Sequence, residues 1–282
     1  MPGTLFVVAT PIGNLEDVTL RALRVLREVD VIAAEDTRRT ARLLQHYSIS
    51  TPTTSLHEHN EHAHTPALID RLLSGESVAL VSDAGTPAIS DPGTRFVAAA
   101  HAAAVRVEPV PGPNAAVALV SASGIPADDG FVFVGFAPSR ASQRRMWLRS
   151  LATERRPIVC YEAPHRIIAT VKDIATELGN RPLSIGRELT KAHESLAVRP
   201  IYEWESQPPL EKGEFVLMIG PAEDPDAVSE PADDTLVAKT FGQLTDVVGL
   251  DRRAALKETA KRHGISAREV FAVLERTKNL GE

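Results

Sequence analysis

The chain has 282 residues, 43% hydrophobic and 24% charged, with 17 Gly and 20 Pro; this is the make-up of a globular protein and excludes a disordered, collagen-like or low-complexity chain. A net charge of −6 excludes a protein that coats nucleic acid through bulk positive charge. The single cysteine, Cys160, excludes an intrachain disulfide, no apolar run approaches the ~20 residues that span a bilayer, and no cationic leader precedes the first apolar run, so the expected compartment is the cytoplasm.

From the start, short β-branched runs alternate with amphipathic stretches. Residues 5–9, 31–34, 78–82 and 105–110 read as buried strands separated by helices, the pattern of an α/β unit with a mainly parallel sheet. A second set follows Gly124-Ile125-Pro126, at residues 131–136, 158–161, 183–187, 196–204 and 215–219; the last two lack an intervening helix, so this half is expected to be mixed. The division predicts an N-terminal α/β domain over 1–123 and a second α/β domain over 124–220. Residues 221–234 carry Glu223, Asp224, Asp226, Glu230, Asp233 and Asp234 with no Lys or Arg and read as an acidic, solvated linker.

Residues 235–282 hold nine Lys or Arg against six Asp or Glu and read as a small bundle of three helices. Gly249 before Asp251 marks one stop and start. Ser266 and Glu269 form a capping box, Ile265 and Val270 a hydrophobic staple, and Gly264 a left-handed helix end. Val270, Phe271, Val273 and Leu274 are the expected core. Arg253, Lys257 and Lys261 recur every fourth residue and place a basic stripe on one helical face, suited to solvent or to RNA.

Three loops follow strands of the first set. Thr10-Pro11-Ile12-Gly13-Asn14 is neither a dinucleotide fingerprint nor a phosphate-binding P-loop, but it sits where α/β sheets bind ligands. Residues 82–93 are long for a simple connection. Within them Asp83 suits ribose hydroxyls or a cation, whereas Asp91 is expected to cap the next helix. Pro111-Gly112-Pro113-Asn114-Ala115 opens a helix whose amino end can hold an anion. His57, His59, His62 and His64 lie in a polar stretch with no cysteine nearby, which argues against a metal site. Arg187, Glu188, Lys191 and Glu194 read by themselves as an ion-pair network, and Cys160, within a strand, as a core residue.

Taken in order, residues 9–15, Ala34-Glu35-Asp36-Thr37-Arg38, His57-Glu58-His59-Asn60-Glu61, 82–93, Pro111-Gly112-Pro113, Tyr161-Glu162, Arg187-Glu188-Leu189-Thr190-Lys191 and Lys212-Gly213-Glu214 resemble the ribosomal RNA small subunit methyltransferase I family of the tetrapyrrole methylase superfamily. Asn114 and Ala163-Pro164 depart from the family pattern. The resemblance implies two α/β domains with a cofactor cleft between them. It implies methyl transfer from S-adenosylmethionine to the ribose 2′-oxygen of a cytidine in small-subunit rRNA or the assembled subunit, by a homodimer and without a metal. It assigns Pro11, Asp83, Thr86, Asn114, Ala115 and Tyr161 to the cofactor, and Asp36, Arg38, His57, His59, Asn60, Arg187 and Glu188 to RNA, to which the tail stripe Arg253, Lys257 and Lys261 is added. Lys191 or Glu35 is the expected catalytic group, orienting or deprotonating the hydroxyl. The rivals are a relative acting on a tetrapyrrole or a diphthamide precursor, and a noncatalytic RNA-binding assembly factor.

Overall fold

In the computed structural model, which describes residues 1–222, 234–247, 249–263, 265 and 267–279, the runs Val31–Ala34 and Val78–Val81 are buried at every position, as strands covered on both faces must be. They are β2 and β4 of a five-stranded sheet completed by β1 (Thr4–Val8), β3 (Thr53–Ser55) and β5 (Arg106–Val110), in the order β3-β2-β4-β1-β5. Every pairing in it is parallel. The edge strand β3 had no sequence signal, because Thr53-Thr54-Ser55 contains no apolar residue.

Helices α1 (Leu20–Glu28) and α2 (Thr37–His46) cover one face, where Val25, Leu26 and Leu44 pack on Val8, Ile32 and Val81. Helices α3 (Glu61–Leu73) and α4 (Thr94–Ala102) cover the other, where Leu72 and Phe96 pack on Leu5, Ala33 and Leu80. Burying such side chains stabilises the fold by about 1.5–3 kcal/mol each.

Strands β6 (Val132–Phe136), β7 (Ile158–Glu162), β8 (Pro182–Arg187), β9 (Ser195–Pro200) and β10 (Phe215–Ile219) form a second sheet in the order β6-β7-β10-β8-β9. Only β6 and β7 run parallel, so this sheet is mixed, as expected. Helices α6 (Ala141–Ser150) and α7 (Ile167–Leu178) cover one face. The other face receives α5 (Ala115–Ser123), whose Ala116 and Leu119 pack on Val159, Val216 and Met218. This helix follows β5 of the first sheet, so its packing links the two sheets, which together form one unit, Met1–Ala222.

The expected strand over 196–204 is corrected: it ends at Pro200, which has no N–H to donate, and the chain turns into α8 (Ile201–Ser206). Trp204 is thereby buried, its indole N–H donating to the Leu183 carbonyl at 3.0 Å. Cys160 is wholly buried, and burial together with nearby Glu162 pushes its thiol up to about 12, which makes it inert.

The second unit, Glu223–Glu282, contains α9 (Asp234–Gly242), α10 (Arg252–His263) and α11 (Ala267–Asn279). Val237, Val270, Val273 and Leu274 form its core, Ile265 packs against them, and Arg276 pairs with Asp234 at 2.8 Å. Phe271 does not join that core, contrary to expectation: it is 47% exposed, one helical step round from Val270. Residues 223–233 of the expected linker, and Gly264 and Ser266 of the expected helix junction, lie outside the described residues. Among the described residues, no helix is long and apolar enough to cross a membrane.

Candidate functional site

The carboxyl edge of the parallel sheet is where its loops must supply any site, because the helices leave that edge uncovered. After β1, Thr10 forms an antiparallel bridge with Gly85 beyond β4, Thr10 N–H to Gly85 O at 2.8 Å and Gly85 N–H to Thr10 O at 3.0 Å. Gly85 has φ +83°, and a Cβ there would come within 3.4 Å of Ile12. Thr86 then joins the third loop, its hydroxyl donating to the Pro113 carbonyl at 3.1 Å.

A cavity of about 390 Å³ lies between these loops and the second sheet. One wall holds Glu35, Asp83, Thr86, Asp91, Asn114 and Ala115; the other holds Phe136, Tyr161, Glu188, Lys191 and Glu214. Ile12, Ile89, Leu189 and Val216 make parts of the lining apolar. Ser90 and Glu188 hold left-handed backbone at φ 64° and 51°, a conformation that costs non-glycine residues free energy and collects at functional sites.

Carboxylates dominate the charge. Asp83 accepts the Asp36 N–H at 3.0 Å and pairs with Arg39 at 3.2 Å, while its own N–H donates to Glu35 at 3.2 Å. Burial raises the Glu35 carboxyl above its usual range, and the Asp83 charge adds to this. Asp91 goes further: burial and the charges of Glu35 and Asp83 raise it to about 6. On the facing wall, Lys191 Nζ sits 2.9 Å from Glu188 and 2.8 Å from Glu214. Burial alone would lower the lysine, but those two bonds outweigh it and the ammonium is held above its ordinary value. At neutral pH Lys191 is a cation, fit to orient an oxygen rather than to take its proton.

The cavity thus gathers Glu35, Asp83, Thr86, Asn114, Ala115, Tyr161, Glu188 and Lys191, while Pro11 lines an adjoining chamber. The amino end of α5 is not open to an anion, because Asn114 Oδ1 accepts the N–H groups of Ala116 (3.0 Å) and Val117 (3.2 Å) and so caps the helix itself. Asp36 and Arg38 are outside the lining: Asp36 caps α2 through the Arg38 N–H, and Arg38 folds back on it at 3.2 Å. Asn60 is occupied locally, Oδ1 accepting the His57 N–H at 2.7 Å and Nδ2 donating to the Ser55 carbonyl and hydroxyl. His57 and His59 meet edge to face at 6.0 Å, and His57 Nδ1 is buried without a hydrogen-bond partner among the described residues. Arg187 lies away from the cavity and donates to the Lys212 and His193 carbonyls. Arg253 and Lys257 are exposed on α10 of the second unit, which also carries Lys261.

Asp91 does not cap α4, contrary to expectation. Gly93, at φ 121°, takes the cap position, and a Cβ there would meet Leu80 at 2.7 Å. Sequence reasoning also passed over Arg39, Glu214 and Phe136. Glu214 stood in the Lys212-Gly213-Glu214 motif without a role; nothing in the sequence distinguishes Arg39 from Arg38.

The profile of the Tetrapyrrole (Corrin/Porphyrin) Methylases matches residues 4–205. A ribosomal RNA small subunit methyltransferase I from Synechocystis sp. is 45% identical over 95% of this chain and 96% of its own length. A second, from Halalkalibacterium halodurans, is 42% identical over 96% and 94%. Among solved structures, a uroporphyrin-III C-methyltransferase from Thermus thermophilus complexed with S-adenosyl homocysteine has a TM-score of 0.55 at 20% identity, covering 77% of this chain and 97% of that one. The chain belongs to the tetrapyrrole methylase family and, within it, to the ribosomal RNA small subunit methyltransferase I group.

Proposed function

We propose that this protein transfers a methyl group from S-adenosylmethionine to the ribose 2′-oxygen of a cytidine in small-subunit rRNA. The observation that carries the reading is the cavity joining Glu35 and Asp83 to Lys191, in a chain whose relatives at 42–45% identity are named as small-subunit ribosomal RNA methyltransferases; the ribose oxygen and the cytidine are what the family resemblance adds.

The residues present fit the cofactor. A cavity of about 390 Å³ with apolar side chains beside a few convergent polar groups is the form small-molecule sites take, and its surplus of carboxylates suits a cationic sulfonium and ribose hydroxyls. Asp83, Thr86, Asn114, Ala115 and Tyr161 would hold the cofactor, with Pro11 on the neighbouring loop. When bound, it supplies a methyl group that is already electrophilic. The protein's task is then to hold the ribose oxygen in line at ~3–3.5 Å and to remove its proton. Glu35, more basic than an ordinary carboxylate, accepts that proton, and the Lys191 ammonium orients the oxygen. A tetrapyrrole or diphthamide acceptor is not favoured.

The reading extends to a cytoplasmic homodimer acting on RNA or on the small subunit; its support is family membership alone, and a monomer by light scattering at working concentration removes the dimer. Incubation with labelled S-adenosylmethionine and either isolated small subunits or naked rRNA, followed by mapping of the labelled nucleotide, tests the activity. Label at one cytidine ribose is expected. Absence of label from both substrates overturns the reading, and label in only one identifies the substrate.

A further inference from the structure

A second chamber of about 360 Å³, walled by the loop after β1 and by α2, shares Ile12, Asp83 and Lys191 with the cofactor cavity. The two chambers differ in charge. Glu35, Asp83, Asp91, Glu188 and Glu214 line the first against only Arg39 and Lys191, a sixth carboxylate, Glu162, being buried and neutralised by Arg166 at 2.6 Å. In the second, Asp83 and Glu214 face three cations, Arg39, Arg42 and Lys191. Carboxylates therefore outnumber cations on one side and cations outnumber carboxylates on the other, with Asp83 and Lys191 in the wall between.

Arg39 and Arg42 stand three positions apart on α2, which makes them neighbours on one helical face. Arg39 is partly engaged by Asp83 at 3.2 Å. Arg42 is exposed, with no hydrogen-bond or ion-pair partner among the described residues. A guanidinium left in this state, beside a polar chamber, is matched to an oxyanion that accepts two parallel N–H bonds.

We propose that the second chamber seats the acceptor nucleotide, with Arg42 and Arg39 on its backbone phosphate and its ribose turned towards the shared wall of Asp83 and Lys191. The assignment rests on the methyltransferase reading above. A phosphodiester is repelled by the carboxylate-rich cavity and attracted by the cationic chamber, whereas a sulfonium has the opposite preference. The two ligands sort themselves by charge, and the wall that both chambers share is where methyl donor and hydroxyl meet. Phosphate contacts of this kind fix position without reading the base.

The test uses the full-length protein and a small-subunit RNA fragment containing the methylated cytidine. Arg42→Ala is expected to raise the RNA dissociation constant on the order of tenfold, the size of one charge-assisted contact. It should also flatten the log–log salt dependence by about 0.7–0.9, the slope of one phosphate. Arg42→Lys keeps the charge but not the two parallel bonds, so it should restore the salt slope and only part of the affinity, and calorimetric affinity for S-adenosylmethionine should stay at the wild-type value. An unchanged RNA affinity and salt slope in Arg42→Ala overturns the assignment, as does a parallel loss of cofactor affinity. Wild-type protein that binds the cofactor but methylates no small-subunit RNA overturns the functional reading itself, which separates the two failures.

Discussion

Gly13 and Lys191 occupy adjoining space across the site: a Cβ on Gly13 would collide with the Lys191 Cγ and stand 2.7 Å from the Thr190 hydroxyl. The next residue, Asn14, donates its N–H to that same hydroxyl at 3.0 Å. The first loop therefore sets the position of the lysine. Gly13→Ala must displace the lysine stem, and methyl transfer should fall at least tenfold while melting temperature changes little. Wild-type turnover in this variant would show that the lysine's position is unimportant.

Lys191→Ala removes the oriented cation and leaves Glu188 and Glu214 facing each other. Turnover should fall by about 10²–10³-fold, the cost of removing one preorganised donor, with cofactor affinity much less affected. Glu35→Ala should be at least as damaging at saturating RNA if the carboxylate takes the proton. A far larger loss in Lys191→Ala, together with a near-normal rate in Glu35→Ala, would move the proton acceptor elsewhere.

Asp83 ties the loop after β4 to the start of α2 by two contacts, accepting the Asp36 N–H and pairing with the Arg39 guanidinium. Asp83→Ala leaves a partly buried N–H unsatisfied, a cost of about 1–3 kcal/mol, and frees Arg39 beside a cationic ligand. Calorimetry should show S-adenosylmethionine binding weakened tenfold or more with the fold retained. Equal affinity would remove Asp83 from the cofactor site.

Asp91 gives a pH signature. Its carboxyl is raised from 3.8 to about 6, by burial first and then by the charges of Glu35 and Asp83. A group raised on folding contributes its stability in full below pH 3.8 and loses it as pH climbs through about 6. Asp91→Asn should therefore be more stable than wild type at pH 8, with the difference vanishing near pH 4. Solvent reaching this half-buried group limits the gain to about 1 kcal/mol. Thermal melts across that range check it, and a difference that does not vary with pH would contradict it.

Deleting residues 225–282 removes Arg253, Lys257 and Lys261. If these contact phosphates, RNA affinity falls and the salt slope flattens by ~0.7–0.9 for each lost contact. Neutral substitution of the three should reproduce most of the change, with cofactor affinity unaltered. Unchanged RNA binding in both variants would make the stripe a solvated face.

Most strands were legible because their apolar runs are bounded by turn residues, and the loops because Pro and Gly follow those runs directly; β3, built of Thr and Ser, and the end of β9 at Pro200 were not. Position in three dimensions was less so. Asp91 has a capping residue's spelling, Ser90-Asp91-Pro92-Gly93, but the crowding by Leu80 that reserves the cap for Gly93 comes from β4, thirteen residues earlier. Asn114 showed its ability to accept N–H bonds, yet whether those donors belong to the helix or a ligand depends on a side-chain torsion. Arg39 and Arg42 become distinct from Arg38 only once the phase of α2 is known. Phe271 misled for a related reason: four apolar residues in five cannot all face one way on a helix.

The paired hydrogen bonds between Thr10 and Gly85 also bear on how the protein can change over generations. They rivet together two loops encoded far apart, so an added or lost residue in one shifts a partner in the other. Length changes in these loops must arise in concert or bulge outward, away from the bridge. New acceptors are more readily gained through side-chain exchange on α2, whose Arg39 and Arg42 line the second chamber from a helix rather than from either bridged loop.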